Sequence, residues 1–161
     1  MVSKWFTARR MMALRPAIEA MAVRLTDEMV ACGQPADLKA SVGFPLPVWV
    51  ICDLLGVPES DRDRFSYWSD TLLNLTRYTQ EQIDAAQAEF IDHMASHITR
   101  RREDPGDDLL SELITGTDAD GYRLSDPELV ATGQGLLVAG HELHKVEGLA
   151  VGGLRDLPVR W

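Results

Sequence analysis

SDPELVATGQGLLVAGHEL, from Ser125 to Leu143, is the stretch from which the remainder of the chain can be read. Ser125 and Glu128 stand at capping-box spacing: the serine can accept from the backbone N–H of Glu128, the glutamate can reach back, and Pro127 fits a first helical turn. The spacing predicts a helix starting here. Leu129, Val130, Leu136, Leu137 and Val138 put apolar groups on nearly every side, threaded with Ala131, Gly133, Gly135, Ala139 and Gly140. A surface helix shows one apolar stripe, so a helix of this composition is expected to be central and covered all round. Its far end, Ala139-Gly140-His141-Glu142, sets two small residues beside a carboxylate that would be costly to bury unpaired. Glycine in mid-helix costs ~1 kcal/mol relative to alanine, so this run marks either the close approach of something flat or a helix ending at Gly140.

The chain has 161 residues, 45% hydrophobic and 25% charged, the balance of one globular core rather than a disordered or fibrous chain. No apolar run approaches the ~20 residues of a membrane span, and Lys4, Arg9 and Arg10 interrupt anything resembling a signal peptide. A cytoplasmic protein is expected. A net charge of −9 argues against a nucleic-acid partner. Cys32 and Cys52 form no CxxC pair; both sit among apolar neighbours and read as small buried hydrophobes.

Working outward, Met11, Leu14, Ile18, Met21, Leu25 and Met29 recur at helical steps, with Thr7 as a cap, Pro16 as a kink or first turn, and Gly33 as the stop. Pro35 to Leu38 reads as a short extended or turn segment. For Val48 to Leu55 periodicity does not separate a buried helix from a buried strand, but Pro45 and Pro47 before it and Gly56 after it suit a helix. Val57-Pro58-Glu59 opens a helix with Phe65, Trp68, Leu72 and Leu75 on one side. Thr79-x-x-Gln82 is a second capping box, starting a long amphipathic helix through Ile83, Ala86, Phe90, Met94 and Ile98, with Arg100, Arg101 and Arg102 suited to its negative end. Asp107 and Asp108 cap a short helix, Leu109 to Ile114. There is no internal repeat or linker, so residues 1–161 read as a single all-α domain.

The run Leu136 to Glu142, LLVAGHE, resembles the central helix of the bacterial cytochrome P450 haem-thiolate monooxygenases, whose pattern there is Ala/Gly-Gly-x-Asp/Glu-Thr-Thr. SKWFTARRMMALRP at Ser3, PADL at Pro35, FPLPVWVICDLLGVPESDRDRF at Phe44 and DDLLSELI at Asp107 extend the resemblance in order. It implies an all-α fragment of that fold, running from the end of one haem-edge helix to the middle of the central helix. The reaction implied is oxygen insertion into a small organic substrate, with electrons from a ferredoxin-type partner. Lys4, Arg9, Arg10, Arg15 and Arg24 lie where that partner would dock; a solvated basic helix face is the alternative. Phe6, Ala139 and Gly140 fall beside the haem, and Trp68, Leu72, Leu75, Gln134 and Val138 near the substrate. The helices on either side of Asn74 to Tyr78 correspond to the mobile roof of the pocket.

Glu142 matches the family's relay acid, but the threonine position is Leu143, which neither donates nor accepts a hydrogen bond. Neither cysteine lies in the Phe-x-x-Gly-x-x-x-Cys-x-Gly loop that ligates iron, so this chain is not expected to retain haem or to be active alone. From Leu143, LHKVEGLAVGGLRDLPVRW departs from the pattern; residues 143–161 read as a divergent tail left by truncation or a frameshift. The competing reading is a non-enzymatic helical module. Leu129, Val130, Leu136, Leu137, Val138 and Leu143 left wet would each forgo ~1.5–3 kcal/mol, an incentive to self-associate or bind a partner. No metal site is expected: His141 and His144 are three apart rather than the four of a zinc-protease helix, and His93 and His97, although four apart, are read as lying at a solvent boundary.

Overall fold

Among the described residues six α-helices carry the fold, together with one minimal strand pair. The computed structural model describes residues 8–73, 76–117, 121–146 and 158–159. In chain order these are α1 (Ala8–Ala31), β1 (Ala36–Asp37), a π-helical turn (Lys39–Gly43), α2 (Pro45–Leu54), a 3-10 turn (Glu59–Asp61), α3 (Arg62–Leu73), α4 (Gln80–Glu103), α5 (Leu109–Thr115), α6 (Asp126–Val146) and β2 (Pro158–Val159). The all-α expectation holds, and Val48 to Leu54 is helical, with Leu55 following as the cap.

Helix α1 buries Met21, Leu25 and Met29, whereas Met11 and Met12 are exposed at 36% and 62%, so the methionine stripe is core only in its second half. Pro16 lies inside this helix rather than in its first turn. Cys32 follows it and is exposed, against expectation, because the chain is already turning through Gly33 at φ 86°; the Thr7 cap lies outside the described residues. Helix α1 packs on the π-helical turn and α2. Arg24 clamps it there: its guanidinium lies 4.5 Å from the centre of the Trp49 ring and pairs with Glu59.

The core forms where α2, α3, α4, α5 and α6 converge. Phe65, Trp68 and Phe90 are each fully buried and meet edge-on at centroid distances of 5.2, 5.7 and 5.9 Å, joining α3 to α4. The capping box that starts α4 is present, Gln82 N–H donating to Thr79 Oγ1 at 3.3 Å and Thr79 N–H to Gln82 Oε1 at 2.9 Å. At its other end α4 meets the turn after α2 and the start of α5 in a polar junction. Arg101 donates to the Gly56 carbonyl at 2.8 Å and pairs with Asp108 at 2.8 Å, while Asp108 accepts from Ser111 N–H at 2.7 Å and so caps α5. Gly56 has a φ of 65°, and a Cβ there would stand 2.1 Å from an Asp108 carboxylate oxygen. Only glycine satisfies both conditions.

Ala36 pairs with Val159 and Asp37 with Pro158 in an antiparallel bridge, so Pro158 and Val159 lie against the segment between α1 and α2. Two positions on α6 separate packing from open space. A Cβ on Gly133 would meet the Met94 methyl at 2.8 Å, whereas a Cβ on Gly135 would meet nothing within 4 Å. Gly135→Ala is therefore expected to raise stability by up to ~1 kcal/mol through helix propensity, and Gly133→Leu to lower it by ~1–3 kcal/mol through overpacking. Urea denaturation of both variants measures the difference.

Candidate functional site

Helix α6 begins on a tighter cap than its spacing suggests. Glu128 reaches back to the Ser125 N–H at 2.9 Å as expected, but the Ser125 hydroxyl donates to the same carboxylate at 2.6 Å instead of accepting from the helix backbone. Tyr122 adds a third donor at 2.6 and 2.8 Å to the two carboxylate oxygens. Hydrogen bonds from Ser125, then from Tyr122, hold the Glu128 carboxyl down at about 2, against an ordinary value of 4.5. Because the folded-state value is depressed, this contribution is present above the ordinary carboxylate range and is lost as pH falls from 4.5 toward 2. Amide exchange at the start of α6 should accelerate across that window in the native chain. In Glu128→Gln it should already be faster at neutral pH and nearly independent of pH after correction for intrinsic exchange.

Beyond the cap, α6 has two faces. Leu129 (1% exposed), Val130 (8%), Gly133 and Leu137 (1%) face α2, α4 and α5; Gln134, Leu136 and Val138 are half-buried; Ala131, Gly135 and Ala139 are exposed. The helix is central but not covered all round, which corrects the reading from composition. Nor does it stop at Gly140: the backbone remains helical through Val146, so Glu142 and Leu143 lie on an unbroken helix one turn past Ala139. The side chains from Gly140 onward, Phe6 and Leu75 lie outside the described residues.

Among the substrate candidates, Leu72, Gln134 and Val138 retain exposed surface on the two helices α3 and α6, which pack together. Trp68 does not. It is fully buried, flanked by Phe65, Phe90 and His93, covered by Arg64 at 4.9 Å, and its indole N–H donates to Glu89 at 3.3 Å. Asp70 on α3 fastens the connection to α4, accepting from the Tyr78 hydroxyl and from Arg77 at 3.2 Å; Asn74 of the expected hinge lies outside the described residues. Of the basic residues assigned to partner docking, Arg15 is paired with Glu19 at 2.8 Å and Arg24 with Glu59.

His93 and His97 both point inward from α4, not to a solvent boundary. His97 is 3% exposed, and its Nε2 lies 2.9 Å from the Leu55 carbonyl; a carbonyl only accepts, so Nε2 carries the proton. Among the described residues no group of three or more His, Cys, Asp or Glu is arranged to hold a metal ion. An open cleft of about 290 Å³ lies between Gly56, Pro58, His97, Arg100, Arg101, Glu103 and Asp104, and no residue singled out from the sequence as a site candidate lines it.

The chain is 46% identical over 142 residues to the mycinamicin IV hydroxylase/epoxidase of Micromonospora griseorubida, which covers 88% of this chain and 36% of that protein. It is 40% identical to the nocardicin C N-oxygenase of Nocardia uniformis subsp. tsuyamanensis over 100% of this chain and 40% of that one. The solved structure of the mixed-function P450 MycG superposes with a TM-score of 0.81 at 46% identity over 87% of this chain and 35% of that chain. LnmA, a P450 hydroxylase of the leinamycin pathway of Streptomyces atroolivaceus, gives 0.81 at 42% over 87% and 36%. The chain belongs to the cytochrome P450 family. It spans about a third of the length of the curated relatives it matches, and no family model matches it. Cytochrome P450 relatives carry haem and use redox partners and small organic substrates. Among the described residues no helix is long and apolar enough to cross a membrane.

Whether this chain's residues fit a cytochrome P450 haem is a question about its thiols, since the iron ligand is a thiolate and a thiolate needs a thiol that ionises readily. Cys52 is fully buried on the core face of α2, where desolvation pushes its thiol up to about 12. Cys32 lies just past α1, the helix that packs on the π-helical turn and α2. Helix α6 offers a smooth wall with the exposed small residues Gly135 and Ala139. The buried Cys52 thiol does not fit the role of a thiolate ligand.

Proposed function

We propose that this chain carries the central wall and the roof of a cytochrome P450 monooxygenase site. In this reading α6 passes beside the haem, and α3 with α4 closes over a small organic substrate. A ferredoxin-type protein supplies electrons, in a cytoplasmic setting. Ala139, Gly140 and Phe6 border the cofactor; Leu72, Leu75, Gln134 and Val138 face the substrate, and Trp68 supports the roof from inside the α3–α4 core. The observation that carries the reading is the open face of α6: Gly135 and Ala139 are exposed on an unbroken helix whose other side is fully packed. Glu142 holds the proton-relay position. Leu143, in the threonine position beside it, contributes no hydrogen bond, so the wall is built but its proton path is incomplete.

The second reading, a helical module that self-associates, is favoured by the half-buried Leu136 and Val138 on that same open side. A chimera separates the two. When residues 8–146 replace the matching segment of mycinamicin IV hydroxylase, the monooxygenase reading expects retained haem and slow turnover. Leu143→Thr should then raise turnover by ~10²–10⁴-fold, the range of a restored general acid. A chimera that binds no haem, or that is indifferent to this substitution, contradicts the reading. For the chain by itself, a reduced, carbon-monoxide-bound spectrum with haem supplied should lack a thiolate-type band, and size exclusion reports whether the open face pairs with a second copy.

A further inference from the structure

His93 sits at the contact between α4 and the start of α3, held from several sides. Its ring lies 5.6 Å from that of Phe65 and 5.3 Å from that of Trp68. Nδ1 is 3.3 Å from the Arg64 guanidinium, and Nε2 is 3.4 Å from an Asp61 carboxylate oxygen. A guanidinium only donates, so Nδ1 must be the acceptor, the ring is neutral, and the Nε2 proton faces Asp61. At 3.4 Å that second contact is not a formed hydrogen bond, and Nε2 is buried without another partner. One nitrogen is thus satisfied by a cation that protonation would repel, and the other waits beside an anion that protonation would attract.

We propose that His93 is a proton-operated coupling between α3 and α4. With the ring neutral, α3 grips α4 through Arg64; with the ring protonated, Arg64 is expelled from Nδ1 and Asp61 closes on Nε2. No bond is broken; a proton from solvent is taken up at Nδ1. Of the charged groups around the ring, Arg64 comes from α3, Arg100 and His97 from α4 itself, and Asp61 from the 3-10 turn before α3. Glu89, also on α4, is already bonded to the Trp68 indole. Burial first, then the cations, hold the imidazole below its ordinary range, and Asp61 opposes them. The sign follows: a histidine depressed in the folded state stabilises it above the ordinary value of 6.5 and loses that contribution as pH falls below it. His97 shares this sign, but its bond to the Leu55 carbonyl survives protonation and transfers no grip. The coupling stands whether or not the monooxygenase reading does.

The test uses the full chain with Trp5, Trp49 and Trp161 replaced by phenylalanine, so that Trp68 emission reports on the ring beside it. Emission should change on acidification with the same midpoint as the His93 ring proton followed by NMR, at unchanged helical circular dichroism. Asp61→Asn should lower that midpoint and Arg64→Gln should raise it. His93→Gln should flatten the emission change; because Arg64 is exposed, the Arg64→Gln shift remains readable if His93→Gln folds poorly. An emission change that persists in His93→Gln, a midpoint that moves the same way in both charge variants, or a transition that coincides with loss of helix would overturn the proposal.

Discussion

Helix α6 crosses α4 at Gly133, where the Met94 methyl occupies the space a side chain would take and a methyl of Leu55, just past α2, stands close behind. That approach sets the depth at which α6 sits, and with it the burial of Leu129, Val130 and Leu137 against the core. Three nearly completely buried side chains at ~1.5–3 kcal/mol each are a large share of the ~5–15 kcal/mol by which a domain is stable. On the other side Ala131, Gly135 and Ala139 are exposed. The two faces of one helix therefore do different jobs: the inner face fixes the fold, and the outer face presents a row of small residues to whatever lies beyond it.

The α3–α4 pair is built on different physics. Its centre is an aromatic cluster of Phe65, Trp68 and Phe90, and its ends are fastened by polar contacts: Asp70 with Arg77 and Tyr78 at one end, His93 between Asp61 and Arg64 at the other. Apolar packing does not respond to pH, but an imidazole between a carboxylate and a guanidinium does. A pair of helices held rigidly in the middle and electrostatically at the rim can shift without unfolding. In the proposed site this pair is the roof, and Trp68 is the post that supports it rather than a tile facing the substrate.

Much of the fold could be read from the chain because its signals are local. Thr79 with Gln82, Gly33, Pro45 and Asp108 each set a helix boundary through chemistry contained within a few residues. What could not be read depended on partners distant in sequence. His93 and His97 looked like solvent-boundary residues because periodicity does not reveal Asp61 or the Leu55 carbonyl, 42 residues from His97. Cys32 looked buried from its neighbours, but the turn at Gly33 leaves it outside. In the sequence Gly133 and Gly135 are alike, two small residues threaded through an apolar helix; only coordinates distinguish a glycine filled by Met94 from one facing open space. The pairing of Pro158 and Val159 with β1 was invisible for the same reason, since a two-residue bridge carries no pattern of its own. For the candidate site, the Ala139 to Glu142 run and the family resemblance were legible, whereas the poor fit of Cys52 to a thiolate role rests on its depth in the core.

The two-faced character of α6 is the claim on which the rest depends, and site-by-site thiol labelling tests it most directly. Single cysteines at Ala131 and Ala139, in a Cys32→Ser background where the buried Cys52 is inert, should react with a small maleimide at the rate of an unfolded control. Cysteines at Leu129 and Leu137 should react at least about 100-fold more slowly, the protection expected when labelling requires an opening of about 3 kcal/mol. Uniformly fast labelling at all four positions would mean that α6 is not packed, and uniformly slow labelling that its outer face is covered; either result contradicts the account.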